Sequence, residues 1–153
     1  MIGGHRGVRR AAVVFDLADS GELESSGPGA ADFLQRILSN DVSKLGVGGA
    51  QYSVLCREDG GIVDDLFTYR LEPDRFLTVT NASNHAADLA WFERQSVEFD
   101  VDGGERIDAY AMLAVQGPIA REMVQAISGA PLPPRQRAGR GGAVGPRPPV
   151  GGD

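Results

Sequence analysis

The sequence predicts an α+β domain built on a mostly antiparallel sheet. Strand-like runs outnumber helical ones, and they follow one another through tight-turn signals instead of alternating with helices. The two strand-to-helix junctions that bracket them both carry Gly-Pro. Taking the chain in order, "AVVFDL" reads as a strand and "SGELESS" as its hairpin partner through "ADSG". Pro28 suits the first position of a helix, and Phe33, Leu34, Ile37 and Leu38 recur at helical spacing, which predicts a helix over about 28–39. Next, "AQYSVLCRE", "GIVDDLFTYRL" and "RFLTVTN" predict three consecutive strands. A helix over about 84–95 follows, with Ser83 as a candidate N-cap, and then "VEFDVD" as a further strand. Finally "AMLAVQ" and "GPIAREMVQAI" repeat the order of strand then helix. Gly27-Pro28, Ala30, Phe33, Leu34, Gln35 and Ile37 match Gly117-Pro118, Ala120, Met123, Val124, Gln125 and Ile127 in type at a constant offset of 90. The chain therefore holds either two similar strand-to-helix units or two uses of one turn.

With 153 residues the chain can be one domain or a piece of a larger protein. No apolar run approaches the roughly 20 residues of a membrane span, and no stretch of signal-peptide type opens the sequence, so a cytoplasmic protein is expected. Residues 1–130 carry 11 Lys and Arg against 20 Asp and Glu. That acidic body argues against nucleic-acid binding, which needs a basic stripe. Residues 131–153, "PLPPRQRAGRGGAVGPRPPVGGD", contain 12 Gly or Pro and little to bury, so they are expected to be a disordered tail: a linker, the product of an altered reading frame, or a Pro/Arg-rich ligand for a partner. The domain boundary is therefore set at residue 130. Cys56 stands alone inside a strand-like run, and His5 and His85 have no metal-ligand spacing, so neither a disulfide nor a metal site is expected. "SGPG" lacks the third glycine of a dinucleotide fingerprint, and "GVGGAQY" lacks the Lys-Ser/Thr of a phosphate-binding loop.

The chemistry concentrates on the three central strands. Asp59-Gly60 read as a two-residue turn pairs Arg57 with Ile62, Cys56 with Val63, Val54 with Asp65 and Tyr52 with Phe67. Pro73-Asp74-Arg75 read as a three-residue loop sets Leu71 against Leu77, Tyr69 against Val79 and Phe67 against Asn81. One face then shows Tyr52, Val54, Val63, Asp65, Phe67, Tyr69, Val79 and Asn81. Cross-strand neighbours lie about 5 Å apart and diagonal ones about 7 to 8 Å, so Tyr52, Asp65, Tyr69 and Asn81 would ring Phe67 within reach of one small ligand. A carboxylate on an apolar sheet face is costly without a partner and tends to a raised pKa, a mark of functional sites. Capping of a neighbouring loop by Asp65, or its pairing with Arg57 or Arg70, is the competing reading. Asp64 falls on the opposite face with Thr68 and Arg70 and is expected to be solvated.

The motifs "VVFDL" with "GELE", the run from "SGPGAADFLQRILSNDVSKLGVGGAQYSVLC" through "GGIVDDLFTYRL", "TVTNASNHAADLAWF" and "AMLAVQGP", in this order, resemble the aminomethyltransferases. These are the T-proteins of the glycine cleavage system and their folate-dependent relatives. The resemblance runs from about residue 6 to residue 130. It implies the N-terminal folate-binding fold, with Asp65 as the catalytic carboxylate, Tyr52, Tyr69 and Asn81 lining a tetrahydrofolate site, and the main chain at Phe67 touching the ligand. The implied reaction moves an aminomethyl group from the lipoyl arm of H-protein to tetrahydrofolate, giving 5,10-methylenetetrahydrofolate and ammonia. Here "DLADSG" stands where the family usually has Asp-Leu-Ser-His-Met-Gly, so the histidine and methionine are lost. The pattern stops near Ala130, which reads as the N-terminal portion of such an enzyme, truncated. A non-catalytic folate-binding protein of the same superfamily (the iron-sulfur assembly type), the folate domain of a larger dimethylglycine- or sarcosine-oxidising enzyme, and an interaction module using the tail are the alternatives.

Overall fold

The computed structural model describes residues 7–17, 19–106, 109–129 and 132. In chain order the elements are β1 (Val13–Asp16), β2 (Gly21–Ser26), α1 (Ala30–Ile37), a 3-10 turn (Val42–Lys44), β3 (Ala50–Cys56), β4 (Ile62–Glu72), β5 (Arg75–Thr80), α2 (His85–Ser96), β6 (Asp102–Glu105), β7 (Leu113–Gln116) and α3 (Ala120–Ser128). They divide into two compact units, one from the described residues of Asp19–Tyr110, the other from those of Met1–Ala18 and Ala111–Pro134. In the larger unit five strands lie in the order β3-β4-β5-β2-β6, and every neighbouring pair is antiparallel. In the smaller, β1 pairs antiparallel with β7. The expected hairpin between "AVVFDL" and "SGELESS" does not form. Strand β2 is largely buried, and both of its hydrogen-bonding edges are satisfied within its own sheet by β5 and β6. The tail from residue 133 lies outside the described residues.

Helices α1 and α2 cover one face of the larger sheet. Alternation along the strands turns Leu55, Leu66 and Phe76 toward them, where they join Leu23, Phe33, Leu34, Ile37 and Phe92 in one core. Phe33 is 1% exposed and stands edge-on to Phe92, ring centres 5.5 Å apart. Two threonines also enter this face. Thr68 and Thr78 oppose each other on β4 and β5, and their hydroxyls lie 3.1 Å apart, so each satisfies the other.

The first two helical forecasts fall within two residues of the observed spans, but their caps differ, and the third helix begins at Ala120, three residues after Gly117. Pro28 lies before the N-cap Gly29, and α2 is capped at Asn84 without a side-chain bond. The Gly-Pro echo is one of geometry. Gly27 and Gly117 have φ of 114° and 143°; Ala30 N–H bonds Gly27 O, and Ala120 N–H bonds Gly117 O. A Cβ on either glycine would meet the carbonyl of a neighbouring segment, Asp100 O or Ala11 O.

Both central turns depart from expectation. At the first, Arg57 N–H bonds Gly61 O at 2.7 Å and Gly60 adopts φ 82°, so the loop has three residues and ends in a glycine bulge. A second irregularity between Leu55 and Cys56 pairs Cys56 with Ile62 and leaves Val63 extra. The two shifts cancel, and Val54 opposite Asp65 and Tyr52 opposite Phe67 stand as expected. At the second turn Glu72 pairs with Arg75, leaving only Pro73-Asp74 between them. An Arg75–Glu72 ion pair at 3.0 Å and the Arg70 guanidinium on Pro73 O at 2.6 Å hold this tighter turn. Phe67 therefore opposes Val79, not Asn81, and Tyr69 opposes Leu77, not Val79. The displacement is two residues, so the β5 side chains keep their expected face; Val63, the extra residue of the bulge, leaves the face expected for it and packs against the core.

Candidate functional site

Strand β3 is an edge of the sheet, and residues 38–40 secure it. Ser39 N–H donates to Val54 O, Val54 N–H to Ser39 Oγ, and Asn40 Nδ2 to Tyr52 O. This seals the outer hydrogen-bonding edge and fixes the backbone at Tyr52. Tyr52 is 43% exposed on the face away from the helices, its ring 5.1 Å from that of Phe67 on β4. Its hydroxyl donates to Asp65 Oδ2 at 2.6 Å. That bond, then partial burial and the charges of Asp65 and Asp64, raise the Tyr52 pKa above its ordinary value. Tyr69, two residues beyond Phe67, is half-buried, and burial raises its phenol pKa as well.

Asp65 itself is exposed, contrary to the desolvated carboxylate expected from the pattern. The arginine reading is also set aside. Arg57 engages Asp59 at 3.1 Å, while Arg70 reaches Leu45 O and Pro73 O with its guanidinium 5.2 Å from the centre of the Phe76 ring. Asn81 stands beyond the last β4–β5 rung, beside Asp65, and its Nδ2 donates to Asp65 O at 2.9 Å. The structure thus brings Tyr52, Asp65, Phe67 and Asn81 together on contiguous positions, with Tyr69 one step further along β4.

Asp64 is not the solvated residue expected. It is 5% exposed and turned under α2, where its Oδ1 accepts from Asn81 Nδ2 and Asn84 Nδ2, both at 2.9 Å. Burial opposes its charge, but these bonds, with those of the Asp65 amide and Asp88, outweigh it and hold the pKa below the usual carboxylate value. Asp88, in the first turn of α2, is 0% exposed. Burial first, and Asp64 second, push its pKa up to about 7. Sequence reasoning missed Asn84 and Asp88 entirely. The signal was their spacing: residues four apart on a helix share a face, and both point at β4.

Across the sheet from Asp65, a hollow between α2 and β6 is lined by Leu23, Phe33, Leu89, Phe92, Val101 and Gly104. It lies on the helix side and shares no residue with the Tyr52–Asp65 face. Among the described residues no group of three or more His, Cys, Asp or Glu is placed to hold a metal ion, and no helix is long and apolar enough to cross a membrane.

An antiparallel sheet covered by helices on one side, with a carboxylate, phenols and an amide displayed on the other, defines a domain of the α+β class. The chain belongs to the GCVT N-terminal domain family, whose model matches residues 1–136. It is 45% identical over 124 residues to the aminomethyltransferase of Lysinibacillus sphaericus and 49% identical over 124 residues to that of Exiguobacterium sibiricum. Each alignment covers 81% of this chain and 34% of the relative, so the chain spans about a third of the length of the curated relatives it matches. The crystal structure of glycine cleavage system aminomethyltransferase T from Bartonella henselae superposes with a TM-score of 0.76 at 36% identity, covering 84% of this chain and 35% of that one. The expected fold class and the family resemblance both hold.

Proposed function

We propose that this chain carries the tetrahydrofolate-binding face of an aminomethyltransferase, with residues 1–130 forming that portion, residues 131–153 dispensable to it, and Asp65 as its catalytic carboxylate. The observation that carries the reading is the position of Asp65, displayed on the open sheet face with its Oδ2 held by Tyr52. The phenol fixes one carboxylate oxygen, and the other is left to accept from an amine N–H of the folate. Asn81 supports the same polarity. Its Nδ2 is committed to Asp64 and to Asp65 O, which leaves the amide oxygen to accept from a ligand N–H. Phe67 and Tyr69 supply apolar and aromatic surface beside these groups for a flat ring.

In the proposed reaction the methylene carbon leaves the lipoyl sulfur of H-protein and its amino nitrogen, and forms bonds to two folate nitrogens. The two protons those nitrogens lose end on ammonia and on the freed thiol, so atoms balance. Asp65 orients the attacking amine and receives its proton in transit. The names of the relatives and the match to the GCVT N-terminal domain support this reading.

Because the alignment covers only 34% of the relative, binding is the test suited to this chain. Calorimetric titration with tetrahydrofolate should show a saturable heat in the full chain and after deletion of residues 131–153, and a weakened one in Asp65→Ala. A folded chain that takes up no tetrahydrofolate, or an Asp65→Ala variant that binds as tightly as the parent, would sink the proposal.

A further inference from the structure

The buried cluster behind Asp65 has a geometry that general stabilisation does not explain. The regular β4–β5 ladder ends at Phe67 and Val79, so at Asp65 the β5 side offers no backbone rung. The Asn81 side chain takes its place, with Nδ2 on Asp65 O. That amide is aimed from behind, because the same Nδ2 donates to Asp64 Oδ1 and the Asn81 main-chain N–H points at Asp64 Oδ2 at 3.4 Å. Asn84 adds a second amide donor to Oδ1 from the start of α2. Neither oxygen of Asp88 has a donor to accept from. Asp88 and Asp64 are coupled electrostatically as side-chain partners, and a protonated Asp88 would supply the hydrogen between them.

We propose that Asp64 is the positioning residue for Asp65, acting through Asn81 and steadied by a shared proton with Asp88. The inference rests on the reading of Asp65 as the folate-facing carboxylate. Asp64 touches no ligand in this scheme. It holds the side chain that holds the Asp65 carbonyl, and so fixes where the neighbouring carboxylate leaves the strand. The rise of the Asp88 pKa to about 7 agrees with a proton resident on Asp88 while Asp64 carries the charge.

The test compares Asp64→Ala, Asp64→Asn and Phe92→Leu in the full chain by two readouts: amide hydrogen exchange at Asp65 and Leu66, and calorimetric affinity for tetrahydrofolate. Asp64→Ala removes the acceptor, so exchange at Asp65 should accelerate and affinity should fall by about tenfold or more, the usual consequence of losing a hydrogen bond to a charged group. Asp64→Asn keeps an acceptor oxygen for Asn81 and should restore both toward the parent values. Phe92→Leu thins the same core and leaves the side chains of Asp64, Asn81 and Asn84 in place; it should lower global stability and leave the affinity of the folded fraction unchanged. Parent-like exchange and affinity in folded Asp64→Ala would overturn the proposal, as would an affinity loss in Phe92→Leu equal to that in Asp64→Ala. Should Asp64→Ala fail to fold, Asp64→Asn decides by its exchange at Asp65, where a tenfold acceleration would refute the role given to the acceptor oxygen. If the folded parent binds no tetrahydrofolate, the folate reading fails, and the exchange readout alone still decides whether Asp64 positions Asp65.

Discussion

The Asp64–Asp88 cluster makes a quantitative demand on stability. Asp88 has its pKa raised from 3.8 to about 7, so between those values the folded chain keeps a proton that the unfolded chain gives up. Stability must therefore fall as pH rises through that window, and the loss is complete above about pH 7. A rise of about 3 units corresponds to at most about 4 kcal/mol at 1.36 kcal/mol per unit. Asp64 has the opposite sign: its lowered pKa contributes stability above the ordinary carboxylate range that is lost only on acidification, so it stays constant from pH 5 to 8. Every other titrating group is common to two chains that differ at one side chain, and for that reason the informative quantity is a difference between them. Asp88→Asn supplies the second chain: its amide donates to Asp64 at every pH. Urea unfolding of both at half-unit steps from pH 5 to 8 should give a difference that grows with pH in favour of Asp88→Asn, by about 2 kcal/mol or more across the range. A difference that stays flat within about 0.5 kcal/mol would show that Asp88 carries no resident proton, and the cluster would need another explanation.

Three further outcomes follow from single contacts. Tyr52 should ionise above pH 10.0, and Asp65→Asn should bring its spectrophotometric titration back toward that value, because the carboxylate bond is the largest cause of the rise; an unchanged titration would mean that the bond does not persist in solution. Phe33→Ala, which empties the centre of the core, should cost about 3–5 kcal/mol in denaturant unfolding, and a loss below about 1 kcal/mol would refute the packing described. Gly21→Ala places a methyl group into the ring of His85, which bonds Thr80 Oγ1 and Glu105; the variant should lose about 1–3 kcal/mol and shift the His85 ring resonances, whereas parent-like spectra would show that β2 does not run against that ring.

Why the face of the site could be read from the sequence, while the cluster behind it could not, comes down to parity. Side chains on a strand alternate with period 2, so a register error of one residue inverts a face and an error of two leaves it intact. The Asp59-Gly60 turn is longer by one residue than the dipeptide implies, yet the bulge at Val63 restores the pairing of Val54 with Asp65. The Pro73-Asp74 turn shifts β5 by two, which exchanges the partner of Phe67 and keeps Val79 on its side. Tyr52, Asp65, Phe67 and Tyr69 therefore share a face under either register. Burial has no such protection. Thr68 and Arg70 beside Asp64 look like a wet face, and nothing within β4 says otherwise. What makes that face dry is Phe33 and Phe92, about 30 residues away on either side in sequence, on the helices that cover it. Once covered, the polar residues had to find partners or be lost: Thr68 bonds Thr78, Arg70 folds onto carbonyls, and Asp64 gathers two amides and a carboxylic acid. The misreading of Asp64 and its proposed role thus have one cause. A strand that is polar on its covered face can be sustained only by a dedicated network, and here that network ends on the backbone of Asp65.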